Sequence, residues 1–156
     1  MRRAMVVTVS NRAAKGVYAD TTGPIIVERL TELGFAAAGP EVVPDGAPVE
    51  AALRRMLSLG YDAIITTGGT GISPTDQTPE MTRRVLDYEV PGIAEAIRAE
   101  GLPKVPTAAL SRATAGVAGH TLIVNLPGSA GGVRDGMAVL GRILGHALDQ
   151  LRGGDH

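Results

Sequence analysis

Two stretches of this sequence place backbone and carboxylate where chemistry on phosphates needs them. TTGGTGISPTDQTPE, residues 66–80, sets Gly68, Gly69, Thr70 and Gly71 ahead of a lone aspartate, Asp76. NLPGSAGGVRDG, residues 125–136, carries Asn125, Pro127, Gly128 and Ser129, followed by Gly131 and Gly132. Glycine tolerates positive φ and lets a ligand reach bare N–H groups, and a run of such amides cradles an anion. Each loop alone also reads as an ordinary tight turn. The pair, opening on one rim, suggests a ligand with more than one phosphate or a similar anionic group. The first stretch is not a P-loop, because no Gly-Lys-Ser/Thr follows it. It is not the full dinucleotide fingerprint either, because Pro74 stands where a third glycine would fall.

The carboxylates divide the same way. Asp45, in VVPDGAPVE, follows an expected strand and should reach that rim, although Pro-Asp-Gly is also common turn chemistry. Beside phosphates an aspartate can hold Mg²⁺, which prefers carboxylate oxygen together with substrate phosphate, or it can act as a base. Thr78 reads as an N-cap and Pro79 as a first helical residue, so a helix start there does not call on Asp76. Ser10 and Asn11 end the first strand and either line the rim or make a turn. His120 and His146 are isolated and read as structural or surface residues. Ser129 has no paired histidine, which argues against a serine nucleophile.

Apolar runs at 4–10, 37–44, 62–67 and 121–127 read as strands, the second weakly. The other three are nearly continuous in apolar character, as in a parallel sheet covered on both faces. Between them lie helical patterns. One runs from a Thr22 cap, with Pro24 in its first turn, to a Gly34 stop. A second, from 48, closes at Gly60. The last, over 133–152, carries Val133, Met137, Leu140, Leu144 and Leu148 on one stripe. Alternation of strand and helix predicts a three-layer α/β/α domain with a mostly parallel central sheet. Ligands of such sheets sit beyond the carboxyl ends of the strands. The expected organisation is one domain over 1–152 and a frayed tail over 153–156.

Composition narrows the function classes. Net charge is −1 with no Lys/Arg block, and aromatics are only 3% of residues. That argues against nucleic acid as a partner. There are no cysteines, so thiolate metal sites and a cysteine nucleophile are excluded. No apolar stretch approaches the length of a membrane span, and the short run after Arg2 and Arg3 reads as a strand rather than a signal core. A soluble cytoplasmic protein is expected.

Taken together, TVSNRAAKGVYADTTGP, VPDG, TTGGTGISPTDQTPE, VPGIAEAIR, VPTAALSRATAGVAGHTLIVNLPGS and HALDQL resemble the MogA/MoaB family of molybdenum cofactor biosynthesis proteins. The same domain recurs in gephyrin-like and plant molybdenum-insertase fusions. The resemblance covers almost the whole chain with its motifs in order. It implies the MogA-like three-layer fold, a homotrimer, a molybdenum insertase as partner, and an activity. That activity is adenylylation of molybdopterin by Mg-ATP with release of pyrophosphate. It also implies that Asp45 and Asp76 carry function, as catalytic residues or Mg²⁺ ligands. Ser10, Asn11, the loop from Gly68 to Gly71 and the loop from Asn125 to Ser129 would then meet substrate. The alternative is a trimeric molybdopterin carrier without catalysis; a nucleotide hydrolase is a more distant reading. The chain departs from the common family pattern at four places. Asn11 stands for Asp, Gly46 for Glu, Thr75 for Arg and Gly131 for Lys, and the last two remove basic phosphate contacts.

Overall fold

A computed structural model describes residues 1–154; Asp155 and His156, half of the expected tail, lie outside the described residues. Six strands form one sheet in the order β2-β1-β3-β6-β5-β4. They are β1 (Arg3–Val9), β2 (Ala36–Val43), β3 (Ala63–Thr67), β4 (Tyr88–Glu89), β5 (Ala115–Ala118) and β6 (Thr121–Leu126). The first three pairings, β2 with β1, β1 with β3 and β3 with β6, are parallel. The last two, β6 with β5 and β5 with β4, are antiparallel.

The near-continuous apolar runs follow from burial on both faces. Val6, Ile65 and Val124 face the layer of α2 (Thr22–Glu32), α5 (Pro91–Gly101) and α6 (Ala130–Leu151). One position earlier in register, Ile64 and Ile123 face α3 (Ala47–Ser58) and α4 (Thr78–Arg83), with Met5 packed against them. A one-turn helix, α1 (Asn11–Ala14), follows β1, and a 3₁₀ segment spans Pro106–Leu110. The expected three-layer fold and mostly parallel sheet are therefore what the chain adopts. Among the described residues no helix is long and apolar enough to cross a membrane.

Several local expectations need correction. The weak second strand is real and forms one edge of the sheet, with Pro40 inside it. The sequence reading placed no strand between 68 and 120, yet β4 and β5 lie there. They are two and four residues long, too short to carry a period. Gly119 (φ +61°) and His120 join β5 to β6 in a two-residue hairpin loop. Thr22 is not the cap of α2. Thr21 holds the cap position without a side-chain bond, and Asp20 takes the Gly23 N–H at 3.1 Å instead. Thr78 does not cap α4 either; it lies inside the helix, and Gln77 precedes it.

Crossover through α2 puts β2 on one side of β1, and the next crossover puts β3 on the other. The carboxyl ends of β1 and β3 thus flank a switch point, the usual ligand crevice of open α/β sheets. The segments after β1, β2, β3 and β6 all leave from this one edge.

Candidate active site at the carboxyl edge of the sheet

The chain leaves β3 through Gly68 (φ +95°) and Gly69 (φ +69°), a backbone region that side chains avoid. Gly68 is needed for space as well. Its Cα lies against the Val9 carbonyl at the end of β1, and a Cβ there would drive into that oxygen. Its N–H donates to the Leu126 carbonyl at 3.1 Å. A Cβ on Gly128 would come to 3.3 Å from the Gly68 Cα. The exits of β1, β3 and β6 therefore meet backbone to backbone.

Beyond that contact the two loops hold unused donors. Among the described residues, the N–H groups of Gly69, Thr70 and Gly71 donate to no protein acceptor, nor do those of Gly128, Ser129, Ala130 and Gly131. The second set opens α6, whose 22 aligned peptides bring a positive dipole end to the same place. Ser129 caps that helix, its Oγ accepting the Gly132 N–H at 3.1 Å. The two loops line one cleft of about 640 Å³. Its remaining wall is the end of α5 and the 3₁₀ segment, with Lys104, Val105 and Leu110, plus Arg134 and Asp135 from the first turns of α6. A separate cleft of about 420 Å³ lies around Tyr61 and His120 at the opposite end of the sheet and touches none of these groups.

Arg112 fixes the first loop. Its backbone N–H donates to the Thr70 carbonyl at 2.7 Å. Its guanidinium donates to the carbonyls of Gly71 at 2.8 Å and Asp76 at 2.9 Å, and reaches both Glu80 oxygens at 2.6 and 3.2 Å. A planar fork suits several acceptors at once. The hydrogen bond and charge of Arg112 hold the Glu80 carboxyl below its ordinary range. Nothing in its own stretch of sequence assigns this arginine that role.

The carboxylates sit close by. Asp76 stands over Gly71, where a Cβ would come to 2.9 Å from its Oδ2, and that oxygen also accepts the Ser73 N–H at 3.1 Å. Asp76 lines the cleft; Asp45 stands behind Gly69. Asp45 Oδ1 accepts N–H groups from Gly46 at 2.8 Å and Gln77 at 2.9 Å, so Asp45 secures the entry to α4. Its Oδ2 faces the bare Gly69 Cα together with Thr78 Oγ1, a buried hydroxyl with no partner among the described residues. Burial pushes the Asp45 carboxyl above its ordinary range. The Gln77 and Gly46 N–H groups pull it back, and the Asp76 and Glu80 carboxylates push it up further.

The remaining expected site residues separate. Ser10 Oγ caps α1 by accepting the Ala13 N–H, and Asn11 Oδ1 accepts the Asp45 N–H at 2.9 Å. Both reach the rim, where Asn11 braces Asp45 and Ser10 holds the one-turn helix that carries Asn11; neither lines the cleft. Pro127 does line it, and its carbonyl accepts the Thr67 hydroxyl at 2.7 Å. Asn125 is fully buried. Its amide donates to the Thr66 and Thr82 hydroxyls, each at 3.0 Å, and its carbonyl takes the Thr114 N–H at 3.2 Å. It joins the sheet to α4 and is out of the cleft's reach.

The family model for a probable molybdopterin binding domain matches residues 5–146, the span that contains both loops, both aspartates and Arg112. The chain belongs to this family. The resemblance to MogA and MoaB is borne out by a solved structure of MogA that is 61% identical, superposes with a TM-score of 0.95 and is covered over 99% of its length by 96% of this chain. A Helicobacter pylori molybdopterin adenylyltransferase is 38% identical over 152 residues, 95% of this chain and 86% of that protein. A molybdenum cofactor biosynthesis bifunctional protein of Synechococcus elongatus is 37% identical over 98% of this chain. This chain spans about half of that relative, 48% of its length.

Proposed function

We propose that this molybdopterin-binding-family protein adenylylates molybdopterin with Mg-ATP and releases pyrophosphate. One observation carries the reading: two loops with unused N–H groups face one cleft that also holds Asp76 and two cations. Such a cleft suits two phosphate-bearing substrates meeting end to end, and the names of the relatives fit that chemistry. The apolar side chains of Val105 and Leu110 offer a surface for a substrate ring.

In this reaction the molybdopterin phosphate attacks the α-phosphorus of ATP, and pyrophosphate departs. The protein positions and neutralises; it supplies little covalent chemistry. The amides of Gly69 to Gly71 and of Gly128 to Gly131 bind phosphate oxygens. Arg112 positions the first loop and touches no substrate itself. The donor set fits Mg²⁺. Asp76 and the free Oδ2 of Asp45 are hard oxygen ligands. Among the described residues no three His, Cys, Asp or Glu side chains gather into a cage. Mg²⁺ here would take its other oxygens from substrate phosphate and water, and would offset charge between the reacting anions. Asn11 acts through Asp45, Ser10 through the cap of α1, and Asn125 through the scaffold.

The test is transfer of α-phosphate label from ATP to molybdopterin. Label is expected on the pterin with Mg²⁺ and not with chelator. Tight molybdopterin binding without transfer, under conditions where a known adenylyltransferase transfers label, would replace this reading with the non-catalytic carrier.

We further propose that residues 1–152 act as one cytoplasmic domain, assembled as a homotrimer, with a molybdenum insertase as the partner that receives product. The family resemblance motivates all three. The exposed apolar side chains Tyr88, Leu59 and Leu102 leave surface for copies to cover. Light scattering from dilute solution is expected to give three times the 16.0 kDa chain mass; the mass of one chain would remove the trimer.

A further inference from the structure

The two sides of the cleft differ in charge. On the Gly69–Gly71 side stand Asp76, with Asp45 behind Gly69 and Glu80 next to the loop, against Arg112 and Arg83, both of which pair with Glu80. The Arg112 guanidinium is already engaged by Glu80 and two backbone carbonyls. On the opposite side stand Lys104 and Arg134 against Asp135. Lys104 Nζ donates to Asp135 Oδ1 at 2.7 Å, and both residues line the cleft. Arg134 pairs with no carboxylate among the described residues. A polyanion entering the cleft is repelled from one side and attracted to the other.

We propose that Lys104 and Arg134 form the polyphosphate subsite of this cleft, so that the pyrophosphate end of a nucleoside triphosphate lies along the α5–α6 wall and its reacting end points toward Asp76. The inference rests on the reading of the cleft as a nucleotide site and adds an orientation to it. With the polyphosphate held there, the leaving group is already on the cationic side when the α-phosphorus is attacked. The negative charge that develops on it is met where it forms.

Inorganic pyrophosphate is the probe, titrated calorimetrically at low ionic strength into the whole chain. Lys104→Ala and Arg134→Ala are each expected to weaken binding by about 3–5-fold, the range of an exposed charge contact, and the pair by about 10–25-fold. Arg134→Lys should keep most of the affinity. Added salt should weaken the wild type more than the double variant, because screening acts on the charges that the double variant lacks. Arg54→Ala, on α3 and outside the cleft, is the control and should bind as wild type. Wild-type affinity in the double variant, an equal loss in Arg54→Ala, or no pyrophosphate binding by the wild type would each overturn the proposal. Label transfer separates it from the activity. A protein that binds pyrophosphate through these two side chains yet transfers no label keeps the subsite and loses the adenylyltransferase reading. One that transfers label with both side chains truncated and pyrophosphate affinity intact does the reverse.

Discussion

Gly68→Ala is expected to destabilise the protein by about 3 kcal/mol and to lower label transfer in the fraction that stays folded. Two effects add. A non-glycine residue at φ +95° carries about 1–3 kcal/mol of strain. The new Cβ also meets the Val9 carbonyl, and forcing a methyl into a packed site costs about 1–3 kcal/mol more. The obstacle is backbone at the end of a central strand, so relief has to come from moving the loop, and with it the Gly69–Gly71 amides. For a domain of this size the melting temperature should fall by roughly 6–12 °C. Gly60→Ala separates the two effects. Gly60 also has positive φ, +78°, but nothing lies within 4 Å of a Cβ there. It should lose only the strain and keep its activity. A Gly68→Ala protein that melts no lower than Gly60→Ala would show that the β1–β3 contact is not tight.

Asp76→Asn should reverse that balance, with activity falling by ~10-fold or more, about 1.4 kcal/mol in the transition state, while the melt hardly moves. The asparagine carbonyl can still accept the Ser73 N–H. Entry to α4 does not use the Asp76 side chain: the Gln77 N–H goes to Asp45 and the Thr78 N–H to the Gly69 carbonyl. What the substitution removes is negative charge over Gly71, beside the loop amides. Asp45→Asn is a harsher change, because Asp45 takes two N–H groups and its own N–H is held by Asn11. It should weaken both transfer and stability. A drop of several degrees in Asp76→Asn, with specific activity preserved, would mark Asp76 as structural.

These two contrasts show what local sequence carries. Continuous apolar strands, glycine at their carboxyl ends and a striped final helix are short-range patterns, and they were enough for the layer order and for placing both loops on one rim. The role of a polar side chain is a long-range fact. Thr78 has the residue type of a cap, yet the donors at that helix start are met by Asp45, 32 positions away for the Gln77 N–H, and by the Gly69 carbonyl. Asn125 adjoins the second loop in sequence, but strand alternation turns it into the α4 layer. Arg112 reaches carbonyls 36 and 41 residues away, which no spacing within its own segment announces. Lys104 sits in the short turn between α5 and the 3₁₀ segment; only the packing of α5 on α6 brings it beside Asp135 and Arg134. The Gly119-His120 hairpin carried a legible signal, glycine first in a two-residue loop, but its flanking strands were too short to draw attention to it.

The two outer strands bear on how copies of this chain can meet. An open sheet edge is a template on which another chain can add a strand, and natural proteins blunt such edges. Here one border carries Pro40, which has no N–H to offer, beside a register shift against β1. The other border is the two-residue β4, whose Glu89 is tied to Arg83 and Thr114. Neither offers a long, flat ladder of free donors and acceptors. Self-association by continuing the sheet is therefore disfavoured, and so is the slide toward fibrils that such growth allows. Contacts between copies are left to side chains on the helical and loop surfaces, where shape and charge can limit the number of copies that join.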